Sequence, residues 1–221
     1  MKQIIVTACI VFFIASAAQA EMRITEWMYN GIATGSVGEF VEFTNVGSSA
    51  IDMTGWSFDD DSRVAGIQSL SAFGTVAPGE SVLLTDVSDA TFRSNWGLAA
   101  TVKVIGGNAT NLGRADEINL FDASSVLVDR LTYNDQAIPT PLGPRTNKIS
   151  GNPTAFSDLG TNDATHWVLS TNGDRYGSHI STPGDIGNPG VYVDAVPEPA
   201  TIVVLLTGML MIGILARFRR K

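Results

Sequence analysis

The sequence predicts an all-β fold, two sheets packed as a sandwich, and three observations carry that prediction. Runs of four to eight residues rich in Val, Ile, Phe, Leu and Thr recur, separated by Gly, Asn, Asp, Ser and Pro. Within Glu39–Asn45, Val41 and Phe43 alternate with Glu42 and Thr44, the period of two expected of a strand with one buried and one wet face. Between the two ends of the chain no segment sustains a helical period. Seven short strands in roughly 110 residues point to an immunoglobulin-like sandwich, and a partly open barrel is the alternative.

The chain opens with Met1-Lys2, an apolar run from Ile4 to Ala15, and Ala18-Gln19-Ala20. Small residues at Ala18 and Ala20 place a secretory cleavage after Ala20, so residues 1–20 read as a signal peptide. The competing reading, a first membrane helix, needs a longer run to cross a hydrocarbon core of about 30 Å. Strands are expected at Arg23–Tyr29, Glu39–Asn45, Met53–Phe58, Ser81–Thr85, Val102–Ile105, Glu117–Phe121 and Val126–Tyr133. Ala77-Pro78-Gly79-Glu80 is a turn ahead of the fourth. Asp89–Trp96 suits one short helical segment, because Phe92 and Trp96 lie four apart. The expected core is Trp56, Val41, Phe43, Leu84, Leu120 and Leu131. As the core aromatic, Trp56 would cost about 3–5 kcal/mol to replace by Ala.

Residues 136–195 are rich in Pro, Gly, Asn, Ser and Thr. That composition alone suits a free linker. Residues 200–216 carry no charge over seventeen positions, about 25 Å as a helix, a little short for a bilayer unless it thins locally. The basic RFRRK that follows belongs on the cytoplasmic side of the inner membrane. Just before the helix, Val196, Pro197, Glu198 and Pro199 form a stiff, extended segment, since each proline fixes φ and removes an amide donor.

Charge and composition exclude several functions. All 22 Asp and Glu lie between Glu21 and Glu198, against nine Lys and Arg in that span, a net charge near −13. Such a surface repels phosphate backbones, so nucleic acid is not an expected partner. Cys9 is the only cysteine and lies in the signal, which excludes disulfides, a cysteine nucleophile and a thiolate metal site in the exported chain. His166 and His179 have no zinc-ligand spacing, and no G-x-S-x-G elbow occurs, so no catalytic residue is assigned. Asp59, Asp60 and Asp61 are the one candidate metal site: clustered carboxylates suit calcium, although consecutive residues do not all face one ion and a solvated acidic turn gives the same string. An exposed tryptophan would offer a platform for a sugar ring.

Two resemblances sharpen this reading. MRITEWMYNG, GEFVEFTNVGSSAIDMTGWSFDDDS, VAPGESVLLTD and ADEINLFDASSVLVDRLTYND, in that order over Met22 to Asp135, resemble a lamin tail domain. The strongest pieces are Glu39–Asn45 and Thr54-Gly55-Trp56, and the strings around His166-Trp167 and Ser181–Pro189 resemble the family's closing segment. Those strings imply that residues 136–195, instead of a free linker, are a loop-rich closure packed on the domain at 22–135, becoming a spacer from Val191 to Ala195. That resemblance implies a compact immunoglobulin-like sandwich used by bacteria as an accessory module on surface and secreted proteins, often beside a hydrolase domain; no second catalytic domain is recognisable here. VPEP, an apolar helix and the basic Arg217, Arg219 and Arg220 resemble the PEP-CTERM sorting signal over 196–221. It implies recognition of Pro197, Glu198 and Pro199 by an exosortase in Gram-negative, exopolysaccharide-producing bacteria, with removal of the helix; an ordinary membrane anchor is the alternative. Together these give a non-enzymatic, exported surface or matrix protein, with exopolysaccharide or envelope proteins as candidate partners and no cofactor unless calcium binds. A secreted nuclease or phosphatase with an unrecognised site is the competing expectation.

Overall fold

The computed structural model describes residues 21–32 and 38–193. The expected signal peptide with Ala18 and Ala20, the Val196–Pro199 segment, the helix 200–216 and Arg217, Arg219 and Arg220 lie outside the described residues. Among the described residues no helix is long and apolar enough to cross a membrane.

The strands are β1 (Met22–Met28), β2 (Phe40–Asn45), β3 (Ile51–Asp52), β4 (Ser57–Asp59), β5 (Gln68–Ser69), β6 (Thr75–Val76) and β7 (Ser81–Thr85). After one helix, α1 (Asp89–Trp96), come β8 (Lys103–Ile105), β9 (Ala115–Phe121), β10 (Leu127–Asn134), β11 (Gly151–Pro153), β12 (Trp167–Leu169), β13 (His179–Ile180) and β14 (Ile186–Gly187). One sheet has the order β12-β11-β1-β2-β7-β8 and the other β10-β9-β4-β5, with β3–β6 and β13–β14 as separate two-stranded pairs. The fold is all-β. The sheets share a core: Met22, Ile24, Trp27, Val41, Phe43, Val82 and Leu84 of the larger meet Phe58, Ile118, Leu120, Leu131 and Tyr133 of the smaller. Phe43 and Phe58 mark the seam, their rings 6.5 Å apart.

β7 and β8 pair in parallel, which requires a crossover, and α1 lies in it. The sequence reads locally as a helix for identifiable reasons. Ser88 caps it by accepting from the Thr91 N–H at 3.1 Å, and Gly97 stops it in the left-handed conformation at φ 63°. Phe92 and Trp96 share one face and pack edge-on against Phe40, with ring centroids 5.4 and 5.9 Å away. With Met28 and Leu83 they make a second, smaller apolar cluster on the outer side of the large sheet.

That outer layer corrects one expectation. β2 has no wet face: all six of its residues are buried, Glu42 included. α1 covers its Phe40 end, and the segment running to Gly190 covers Glu42, whose carboxylate receives the Gly190 N–H at 2.6 Å. Residues 136–193 also carry β11 and β12, which extend the large sheet past β1, and the β13–β14 pair, whose Ile186 carbonyl accepts from the Ser150 N–H at 2.8 Å.

A second correction concerns tryptophan. Trp56 does not fill the core; it is half-buried against the rim. Trp27 occupies the centre with no exposed surface, stacked on Tyr133 at 3.9 Å. The expected strand Met53–Phe58 breaks for a related reason. Gly55 sits at φ 82°, a conformation that glycine takes without strain, so the chain turns between β3 and β4 and leaves Trp56 at the bend. Val41, Phe43, Leu84, Leu120 and Leu131 are all buried.

Two bulges tie the sheets at one corner. The β1–β2 register shifts between Ile24 and Glu26, and the β10–β9 register between Leu127 and Asp129. Asp129 then reaches across to accept the Ile24 N–H at 2.9 Å, while Arg23 donates to the Val128 carbonyl at 3.1 Å. Burial raises the Asp129 carboxyl to about 6, against the opposing pull of that amide.

Candidate functional site

The three consecutive aspartates separate. Asp59 ends β4 almost fully buried, and its Oδ2 accepts from the Ser62 hydroxyl at 2.7 Å and the Val64 N–H at 2.9 Å. It holds the acidic turn together. Asp60 and Asp61 meet Asp116 of β9 instead, one oxygen from each lying within 4.8 Å of the others. Asp116 accepts from the Gly113 N–H at 2.6 Å and the Glu117 N–H at 2.8 Å. Burial raises the carboxyls of Asp60 and Asp116, and neighbouring carboxylates add to it. Three hard oxygens converge there, fewer than a full calcium shell but of the right kind. Asp116 carries no signal in the sequence, since it stands in a strand 55 positions beyond Asp61.

Close by, Glu39 accepts the Leu112 N–H at 2.7 Å and fastens the loop before β9 to the start of β2. Burial, and after it the charges of Asp86, Asp116 and Asp60, push its carboxyl up to about 8. Glu117 is the opposite case. Arg63 holds it through two bonds, at 2.8 and 2.5 Å, and its carboxyl falls to about 2.

A second carboxylate constellation lies inside the fold. Glu26 and Glu42 stand opposite each other on β1 and β2, both without exposed surface. Around them are Thr25, Thr44, Ser81, Ser150, Ser170, Asn152 and Asn188, all buried. Burial raises both groups, Glu42 to about 7, and the charge of Glu42 raises Glu26 further. In the sequence, the alternation around Glu42 reads as the solvent side of a strand.

The histidines have separate surroundings. His166 lies 3.8 Å from Asp158 and 3.7 Å from Asp163 on the surface; His179 sits 3.3 Å from the Trp96 carbonyl. His179 borders a cleft of about 430 Å³ together with Trp96, Leu98, Val102, Tyr176 and Val191. Among the described residues no carboxylate lines that cleft. A second hollow of about 300 Å³ has Arg63, Glu117, Thr132 and Asn162 in its wall, and Arg63 and Glu117 there are paired with each other.

Comparison with known proteins gives one family. The Lamin Tail Domain model matches residues 15–135, more than half of the chain. No curated protein and no solved structure matches it.

Proposed function

The chain belongs to the lamin tail domain family, and on that premise we propose that it is an exported, exosortase-sorted protein of the cell surface or extracellular matrix, whose sandwich is a non-catalytic structural and binding module. The C-terminal run of VPEP, seventeen uncharged residues and RFRRK carries the sorting part of this reading. Translocation starts at the signal peptide and stops at helix 200–216, with Arg217, Arg219 and Arg220 left in the cytoplasm. Glu198, between two prolines, then stands extended at the outer face of the inner membrane, the form in which a protease-like site grips a peptide. The partners are the exosortase during processing, and exopolysaccharide or envelope proteins afterwards. Membership of the lamin tail domain family supports the non-catalytic part.

Mass spectrometry of the surface-exposed protein tests the sorting step. The expected product ends near residues 196–199, and Glu198→Ala leaves the uncut form in the membrane. Surface protein that retains Lys221 in a strain with an active exosortase overturns the reading. A hydrolase screen tests the rest: turnover lost on a single Asp or His substitution makes the protein an enzyme.

The convergence of Asp60, Asp61 and Asp116 favours calcium as the small ligand of the module. Calorimetry with calcium is expected to give heat that Asp116→Asn abolishes, while Asp59→Asn destabilises the turn instead. An unchanged isotherm in Asp116→Asn removes this site.

A further inference from the structure

The Glu26–Glu42 pair has no role in sorting or in a surface ligand site, yet it is among the most costly features of the molecule to build. Two carboxyls directly opposite each other on adjacent strands have side chains in contact range, and like charges there are destabilising. Each accepts one backbone amide from the same short segment. Glu26 Oε1 accepts the Asn188 N–H at 2.8 Å and the Ser150 hydroxyl. Glu42 Oε2 accepts the Gly190 N–H at 2.6 Å, while its Oε1 accepts the Thr25 hydroxyl at 2.7 Å. The Asn188 side chain completes the clasp by receiving the Asn152 amide at 3.0 Å. Gly187 allows the approach: a Cβ there would lie 2.8 Å from Glu26 Oε1, 2.8 Å from Ser150 Oγ and 3.2 Å from the Trp96 ring. Glu26 Oε2 is buried and has no hydrogen-bond partner among the described residues.

We propose that Glu26 and Glu42 form a protonation-controlled latch, which holds Asn188–Gly190 against the sheet while at least one of the two keeps its proton and frees that segment when both carboxyls ionise. Gly190 is six residues before Val196, so the latch governs how the C-terminal segment leaves the domain, whether or not an exosortase reads that segment. The pair's surroundings make the second ionisation costly. From the loop before β13, Asp174 adds a further negative charge against Glu26. Arg175 of that loop is engaged with Tyr176, its guanidinium 4.6 Å over the ring, and His179 of β13 faces the Trp96 carbonyl. On α1, Arg93 and Asp89 face each other at 4.0 Å. On the β7–β8 side, Lys103 pairs with Glu80 at 2.9 Å, and Ser81 of β7 is neutral. The remaining groups against the pair are neutral: Thr25 of β1, Thr44 of β2, Ser150 just before β11, Asn152 of β11 and Ser170 after β12.

Hydrogen exchange of the full-length protein, followed by mass spectrometry and expressed as protection factors, tests the latch. Between about pH 6 and about pH 8.5, protection across residues 187–191 is expected to fall by about tenfold or more and to lie well below that of β9, whose own decline follows global stability. Glu42→Gln, neutral at every pH, is expected to keep the segment closed across the range. Glu26→Gln is the second variant should the first not fold. Constant protection of 187–191 in the wild type overturns the latch, as does protection there equal to that of β9 at each pH, which means global opening, or a fall in a folded Gln variant equal to that of the wild type.

Discussion

Replacing Trp27 by Ala is expected to remove about 3–5 kcal/mol of stability, and the same change at Trp56 about 1–2 kcal/mol. The difference is positional. Trp27 has no exposed surface and sits where the two sheets meet. Its ring stacks on Tyr133 of the opposite sheet at 3.9 Å and lies 6.4 Å from Tyr29. Gly151 of β11 passes so near that a Cβ there would lie 3.4 Å from the indole nitrogen. Truncation leaves a hole bounded by three strands, which a close-packed interior fills poorly. Trp56 lies half in solvent at the turn, where water takes up part of the vacated space. Domains of this size hold about 5–15 kcal/mol in total, and the lone cysteine is Cys9, so no disulfide compensates. Urea denaturation of both variants checks the order; a larger loss at Trp56 than at Trp27 places the core centre wrongly.

Why the sequence misassigns these tryptophans is visible in β1. Its inward residues Met22, Ile24 and Trp27, with Tyr29 just past its end, are spaced two, three and two apart. The bulge at Thr25 inserts the extra step, so strict alternation from Ile24 turns Trp27 outward and Glu26 inward. Tertiary geometry decides that phase, and no local pattern announces it. β10 shows the same slip, with Val128 and Leu131 three apart on the core side. Where no bulge intervenes, period two is legible: β7 spans Ser81–Thr85 as expected, and Val41 and Phe43 face the core. α1 is legible because its cap, stop and apolar pair are all local. The buried carboxylates are the opposite case. Glu42 reads as solvated until Gly190, 148 positions later, closes over it, and Asp116 joins Asp60 and Asp61 only through strand pairing. One residue type in one pattern serves a wet strand or a covered one equally well.

Those covered carboxylates set the direction in which stability depends on pH. Glu39 at about 8, Glu42 at about 7 and Asp129 at about 6 all bind their protons more tightly folded than unfolded, where 4.5 and 3.8 apply. Glu26 lies in the same direction. For such a group the unfolded chain loses its proton first as pH rises, so the folded state loses stability between the unfolded and folded values. Glu117 runs the other way: held at about 2 by Arg63, it contributes stability above 4.5 that is lost as pH falls toward 2. Maximum stability is therefore expected near about pH 4–5, with a decline to about pH 8.5. Glu39 alone accounts for about 4 kcal/mol of that decline, since every tenfold difference in proton affinity between the folded and unfolded chain is worth about 1.4 kcal/mol. That is about 10 °C in melting temperature for a chain of this length. Glu39→Gln keeps an acceptor for the Leu112 N–H and removes the buried charge. That variant is expected to melt with the wild type at about pH 4 and well above it at about pH 8.5. A wild-type melting temperature that rises or stays level over the same range contradicts the burial of these acids as a group, and equal melting of Glu39→Gln and wild type at the alkaline end contradicts it for Glu39.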